Sequence, residues 1–227
     1  MSNQGLKYNV DIVFCIDVTG SMHGILETVK TNALRFYPDL QKSLDEKDKN
    51  VEELRIKVIA YRDFYADGDD AIETTEFIDI KNNAETFNSF IHSLRPDGGG
   101  DEPENGLEAL ALAMKSDWVK GGDRQRHIIV VWSDASTHPL EKGAGSSQEN
   151  YPKGMPKDFN ELTDWWDGQS YMSNRSAKRL IVFAPDSNAW TDIATHWDNT
   201  VHYPSRAGEG LAEVDYQTIL SAIVNSI

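Results

Sequence analysis

Val10-Asp11-Ile12-Val13-Phe14-Cys15-Ile16-Asp17-Val18-Thr19-Gly20-Ser21-Met22 decides the fold. Its first half is a run of apolar and β-branched residues, the pattern of a buried strand. The run ends on a carboxylate, followed by two hydroxyls at alternate positions with a glycine between them. Ile25, Leu26, Val29, Ala33 and Phe36 then recur at helical spacing. Asp17, Thr19 and Ser21 therefore sit where a central strand turns into a helix. In an open α/β sheet that edge is where ligands bind. One carboxylate and two hydroxyls make an all-oxygen set, which suits a hard divalent cation such as Mg²⁺.

The rest of the chain alternates between the two patterns, the signature of a doubly wound, mostly parallel sheet with helices on both faces. Leu54–Tyr61 reads as a second strand, after a charged connection from Lys42 to Glu53. Glu76–Ile80 reads as a short edge strand, reached through the acidic turn Ala66–Asp70, and Asn83–Leu94 as a helix. A glycine loop, Pro96-Asp97-Gly98-Gly99-Gly100-Asp101-Glu102-Pro103-Glu104, leads into a helix over Gly106–Met114. His127–Trp132 is nearly continuous in apolar residues, as central parallel strands are. Ser136–Lys157 is rich in Gly, Pro, Ser and Asn and has no apolar period, so it reads as an irregular insertion. Phe159–Met172, Ser187–Trp197 and Glu213–Ile227 read as helices, with strands at Lys178–Ala184 and Thr200–Tyr203. No repeat or second domain is visible, and residues 1–227 read as one Rossmann-like domain.

Three strand-end motifs in this order resemble the von Willebrand factor A domain family. Asp17-Val18-Thr19-Gly20-Ser21 is similar to that family's DxSxS signature, with Thr for the first Ser. The signature opens the metal-ion-dependent adhesion site. His127–Ala135 is similar to the family's fourth element and gives its carboxylate to Asp134. In the third loop, spacing to the following helix puts Asp101 where the family usually has Thr. The resemblance implies that Thr19 and Ser21 bind a cation directly, while Asp17 and Asp134 act mostly through water. It also implies that an acidic side chain of a partner protein completes the coordination. Asp101 is a departure, because a third carboxylate would neutralise the ion and weaken its pull on a partner's carboxylate. The expected metal set is thus Asp17, Thr19, Ser21, Asp101 and Asp134, holding Mg²⁺, with Mn²⁺ or Ca²⁺ as alternatives. Glu102 and Glu104 are read as favouring the next helix's N-terminus through its dipole. Asp63 is read either as a residue behind the metal site or as a strand-end carboxylate that meets Arg62 or solvent.

Composition narrows the function. The chain has 227 residues, a formal net charge of −15 and a pI near 4.7. Such a charge opposes binding to nucleic acid, where Lys and Arg must neutralise phosphates, and to anionic membrane surfaces. No run approaches the ~20 apolar residues of a membrane helix. The single cysteine, Cys15, forms no intrachain disulfide and reads as a core residue. Met1–Asn9 lacks the charge and apolar pattern of a leader, so the expected location is cytoplasmic.

The expected function is a binding module that holds a protein partner through its metal face. The Asp-x-Thr-Gly-Ser-Met variant resembles intracellular and microbial members, some of them in bacterial stress-response systems of the tellurium-resistance type. An enzyme is not expected. The alternative is a metal-dependent phosphoester hydrolase using the same carboxylates. A haloacid-dehalogenase-like phosphatase would need Asp two residues after Asp17, where Thr19 stands, and no phosphate-binding glycine motif follows the first strand.

Overall fold

The computed structural model describes residues 6–100, 102–144, 150–205 and 215–227. The chain runs β1 (Tyr8–Asp17), α1 (His23–Glu46), β2 (Val51–Tyr61), α2 (Phe64–Asp67), β3 (Ile72–Thr74), β4 (Ile78–Asp79) and α3 (Ile80–Ser93). It continues through α4 (Gly106–Met114), β5 (Arg124–Trp132), α5 (Leu140–Ala144), α6 (Phe159–Trp166) and β6 (Lys178–Pro185). It ends with α7 (Asn188–His196), β7 (Thr200–Ser205) and α8 (Tyr216–Ser226). The sheet order is β3-β2-β1-β5-β6-β7, with β4 also on β2. All pairings from β2 across to β7 are parallel, and only β3 and β4 run antiparallel. This is the mostly parallel α/β sheet expected from the sequence. The chain leaves β1 for β2 on one side and later returns to β5 on the other, so the switch in strand order falls between β1 and β5.

Side chains alternate across the sheet and fill two cores. Phe14, Ile16, Ile128, Val130 and Trp132 face α1, α3 and α8, where Leu26, Phe36, Phe87, Ile91 and Ile223 meet them. Val13, Cys15, Ile129 and Val131 face α4, α6 and α7, against Leu110, Met114, Trp166 and Trp190. The Cys15 thiol is fully buried and lies 3.6 Å from the Ala109 carbonyl oxygen.

Several boundaries differ from the sequence reading, each for a local reason. The charged connection after α1 is only residues 47–50, because Leu40 and Leu44 continue the buried face of Phe36 to Glu46. β2 accordingly starts at Val51. The edge is two short strands rather than one, and the acidic turn before it is α2 and a 3₁₀ turn at Gly68–Ala71. α6 stops at Trp166 instead of Met172, since Gly168 turns the chain at φ +86° and its N–H bonds the Trp165 carbonyl. Trp165 and Trp166 both lie in the core. The described residues of the insertion include regular structure and core contacts. They carry α5, and Tyr151 packs edge-on to Phe64 at 5.4 Å and donates to Glu108 Oε1 at 3.0 Å. Residues 145–149 of the insertion and 213–214 of the last expected helix lie outside the described residues.

One ion pair is set into the sheet at the end opposite to Asp17. Asp11 is fully buried on β1, and Arg55 on β2 grips it with Nε at 2.8 Å and Nη2 at 2.7 Å. The Val119 N–H adds a third bond to the same carboxylate at 2.6 Å. Removing one partner of a buried pair leaves an uncompensated charge. Arg55→Met is expected to cost about 3 kcal/mol in urea unfolding. A loss indistinguishable from zero would mean that the Asp11 carboxylate is solvated.

A buried carboxyl on α4 gives a second test. Glu108 is fully buried, its Oε2 has no partner among the described residues, and burial pushes its pKa up to about 7. Because the folded value lies above the unfolded one, its contribution is full below pH ~4.5 and is lost as pH rises to about 7. Wild type should therefore lose on the order of 3 kcal/mol more than Glu108→Gln between pH 4.5 and 7.5. Parallel stability curves for the two proteins would show that Glu108 is ionised throughout.

Candidate metal site

β1 and β5 are adjacent and parallel, so their carboxyl ends place Asp17 and Asp134 side by side. The turn after β1 then folds back on the Asp17 side chain. Asp17 Oδ1 accepts from the Thr19 N–H at 3.0 Å and the Thr19 hydroxyl at 2.7 Å. Its Oδ2 accepts from the Ser133 hydroxyl at 2.9 Å. Ser21 donates to Asp134 Oδ1 at 3.1 Å, and the Thr19 and Ser21 oxygens stand 3.2 Å apart. Asp17, Thr19, Ser21 and Asp134 thus form one connected group. Asp101 lies outside the described residues.

The proton positions matter to what this group can do. The hydroxyl hydrogens of Thr19 and Ser21 are committed to the two carboxylates, which leaves oxygen lone pairs free beside each other. Neighbouring ligands of an octahedral Mg²⁺ with bonds of about 2.05 Å stand about 2.9 Å apart, close to the spacing seen here. Asp134 Oδ2 is buried without a partner among the described residues. Burial, with the nearby Asp134 charge adding to it, pushes the Asp17 pKa up to about 6, although the Thr19 and Ser133 donors oppose the shift. Asp134 is also raised, chiefly by burial. Paired hydroxyl lone pairs beside two carboxylates, one with an unpartnered oxygen, fit a divalent cation. Among the described residues no three His, Cys, Asp or Glu side chains cluster closely enough to cage an ion. A cation held here would therefore be met by hydroxyls and by water on the carboxylates. Ser21 is exposed and gives the group access to solvent.

The third loop is laced to this edge by backbone and by Arg62. Asp97 N–H bonds the Val18 carbonyl at 3.1 Å, and Gly20 N–H bonds the Gly98 carbonyl at 3.3 Å. Buried Arg62 donates to the carbonyls of Asp97, Arg95 and Asp70 and to Glu73. Asp63 does not pair with Arg62. It caps α2 through the Tyr65 N–H at 2.8 Å and faces His138 at 3.5 Å. Ser133 and Arg62 were not singled out from the sequence. Ser133 alone had a usable signal, as the hydroxyl directly before Asp134.

Glu104 departs most from its sequence reading. It does not face solvent at a helix end but is 4% exposed, with its carboxylate beside Thr19. Burial first, then the charges of Asp17, Asp63, Asp67 and Asp134, pushes its pKa up to about 9.

This is a doubly wound domain with hydroxyls and carboxylates gathered where its strand order switches. The chain belongs to the von Willebrand factor A domain family, whose model matches residues 11–139. The alpha-protein kinase vwkA of Dictyostelium discoideum is 27% identical over 147 residues, which are 65% of this chain and 21% of that protein. The chain thus spans about a fifth of that relative. The pilus adhesin SpaC from Lactobacillus rhamnosus GG matches with a TM-score of 0.56 and 12% identity, over 96% of this chain and 30% of the adhesin. Proximal thread matrix protein 1 from the mussel byssus matches at 0.51 and 10% identity, over 97% of this chain and 48% of that one. At such identities the likeness is one of fold. No described helix is long and apolar enough to cross a membrane.

Gly99 is a tight point between the first and third loops. At φ +92° a Cβ would lie 2.6 Å from Thr19 Cγ2 and 2.8 Å from Glu104 Oε1. Gly121, at φ +104°, has nothing within 4 Å of the same position. Both Gly→Ala changes carry backbone strain, of about 1–3 kcal/mol. Only Gly99→Ala adds the collision, so it should be the more destabilising in thermal melts. Equal losses would mean that the loop yields without disturbing Thr19.

Proposed function

We propose that the chain is a metal-dependent protein-binding module. In this reading Thr19 and Ser21 bind Mg²⁺ through their hydroxyls, while Asp17 and Asp134 hold its water. A protein partner reaches the cation from the exposed Ser21 side. One observation carries the reading: two adjacent hydroxyl oxygens, with their protons turned away onto carboxylates, stand beside an unpartnered buried Asp134 oxygen. Membership of the von Willebrand factor A family supports the protein-interaction role. Mn²⁺ and Ca²⁺ suit the same oxygens. The Asp-x-Thr-Gly-Ser-Met variant carries the further reading of an intracellular member, in a stress-response system of the tellurium-resistance type. The net charge of −15 favours a protein partner over nucleic acid or an anionic membrane. Asp17, tied by three donors, is built for holding geometry rather than for proton transfer, which favours binding over hydrolysis.

Binding to the native state alone stabilises it by mass action. Millimolar Mg²⁺ should therefore raise the melting temperature of wild type above its value in EDTA. Asp17→Ala should abolish that rise, and a phosphatase assay with Mg²⁺ or Mn²⁺ should stay at background. Identical wild-type melts with and without the ion would refute the metal reading, and metal-dependent turnover would refute the binding-only reading.

A further inference from the structure

The third loop brings one more carboxylate to the switch point, from a residue that the family signature does not mark. Both backbone groups of Glu104 are bound to the loop that follows Asp134. Its N–H donates to the Ser136 carbonyl at 3.0 Å, and its C=O accepts from the His138 N–H at 2.8 Å. The residue therefore sits on the seam between the third and fourth loops and cannot swing away. Its side chain points back toward the first loop. Oε1 and the Thr19 methyl lie within 2.8 Å and 2.6 Å of a single point above Gly99. Oε2 is sealed from solvent and accepts no hydrogen bond from any described residue.

A carboxylate buried without a donor is costly. Here the charges that weigh most on it, those of Asp17, Asp63, Asp67 and Asp134, are all acidic and add to that cost. Asp63 and Asp67 each have N–H donors of their own. Glu104 Oε2 and Asp134 Oδ2 have no partner among the described residues. Two buried oxygens from different loops are thus unpartnered among the described residues, one on the Asp134 carboxylate that Ser21 bonds and one on the Glu104 carboxylate near Thr19. A cation with its water shell would supply both the positive charge and the missing donors.

We infer that Glu104 belongs to the cation site and acts as the third loop's anionic acceptor, holding a water on the ion. The inference rests on the metal reading above. Because the acidic side chains are too dispersed to cage an ion together, Glu104 acts through water and not as a third direct carboxylate. It also gives the site a third negative charge from a described residue. A bound dication is then over-neutralised, and the open face prefers a partner group that is neutral or basic to one that is acidic.

The test is Mg²⁺ and Mn²⁺ titration by calorimetry on wild type, Ser21→Ala and Glu104→Gln, with melts of each in EDTA. Loss of an acceptor in the shell around a metal typically weakens binding 10–100-fold. Glu104→Gln should therefore bind at least tenfold more weakly than wild type, while its EDTA melting temperature is unchanged or higher. Ser21→Ala should abolish binding. Wild type without binding would remove the metal reading and this inference together. Wild-type binding that Ser21→Ala abolishes but Glu104→Gln leaves within twofold would overturn this inference alone. Weak binding by Glu104→Gln joined to a lowered EDTA melting temperature would make Glu104 a structural residue and overturn it as well. Acetate should bind to the Mg²⁺-loaded Glu104→Gln protein more tightly than to loaded wild type, and the reverse order would overturn the charge argument.

Discussion

Parallel pairing of β1 on both sides is the constraint on which the site depends. β2 and β5 flank β1 in unbroken parallel register from Asn9 onward, so all three strands end at one level. The loops that leave those ends must then meet, whatever their sequences. Burial on both faces leaves the strands no freedom to slip, because a shift of one residue would turn Asp11 and Asp17 into the opposite core. The two acidic residues of β1 are thereby fixed at its two ends. One is neutralised by Arg55, and the other is left to the loops.

The fold was legible in the sequence wherever periodicity was strong. The apolar runs of β1 and β5 and the helical spacing of α4 are local signals, and the elements stand where those signals lie. Boundaries failed where a decisive contact was distant in sequence. Leu40 and Leu44 extend α1 through a stretch whose charge suggests a loop, because burial on one face outweighs polarity on the other. The pair Trp165-Trp166 is wholly in the core, because α6 packs against the sheet with one ring while the other closes on Tyr171.

The site divides in the same way. Asp17, Thr19, Ser21 and Asp134 follow strands directly, so reading the strands also located the residues. The third loop follows a helix and three glycines with left-handed backbone at Gly98, Gly99 and Gly100. Spacing alone cannot say which carboxylate such a loop turns inward. Nothing in the order Asp101-Glu102-Pro103-Glu104 marks the last residue as buried. Its position comes from bonds to Ser136 and His138, more than thirty residues away. Arg62 is similar, since its carbonyl partners belong to loops rather than to a recognisable motif.

Cys15 lies on the buried strand β1, two residues before Asp17, and it is the chain's only thiol. Burial holds its pKa well above the usual thiol range, so no local change in pH exposes a thiolate. A sulfhydryl reagent can reach it only when β1 parts from α4, an event that dismantles the sheet. The rate of its alkylation in native buffer is therefore a clock for global opening. Wild-type protein carries that reporter without a label, and no second thiol adds to the signal.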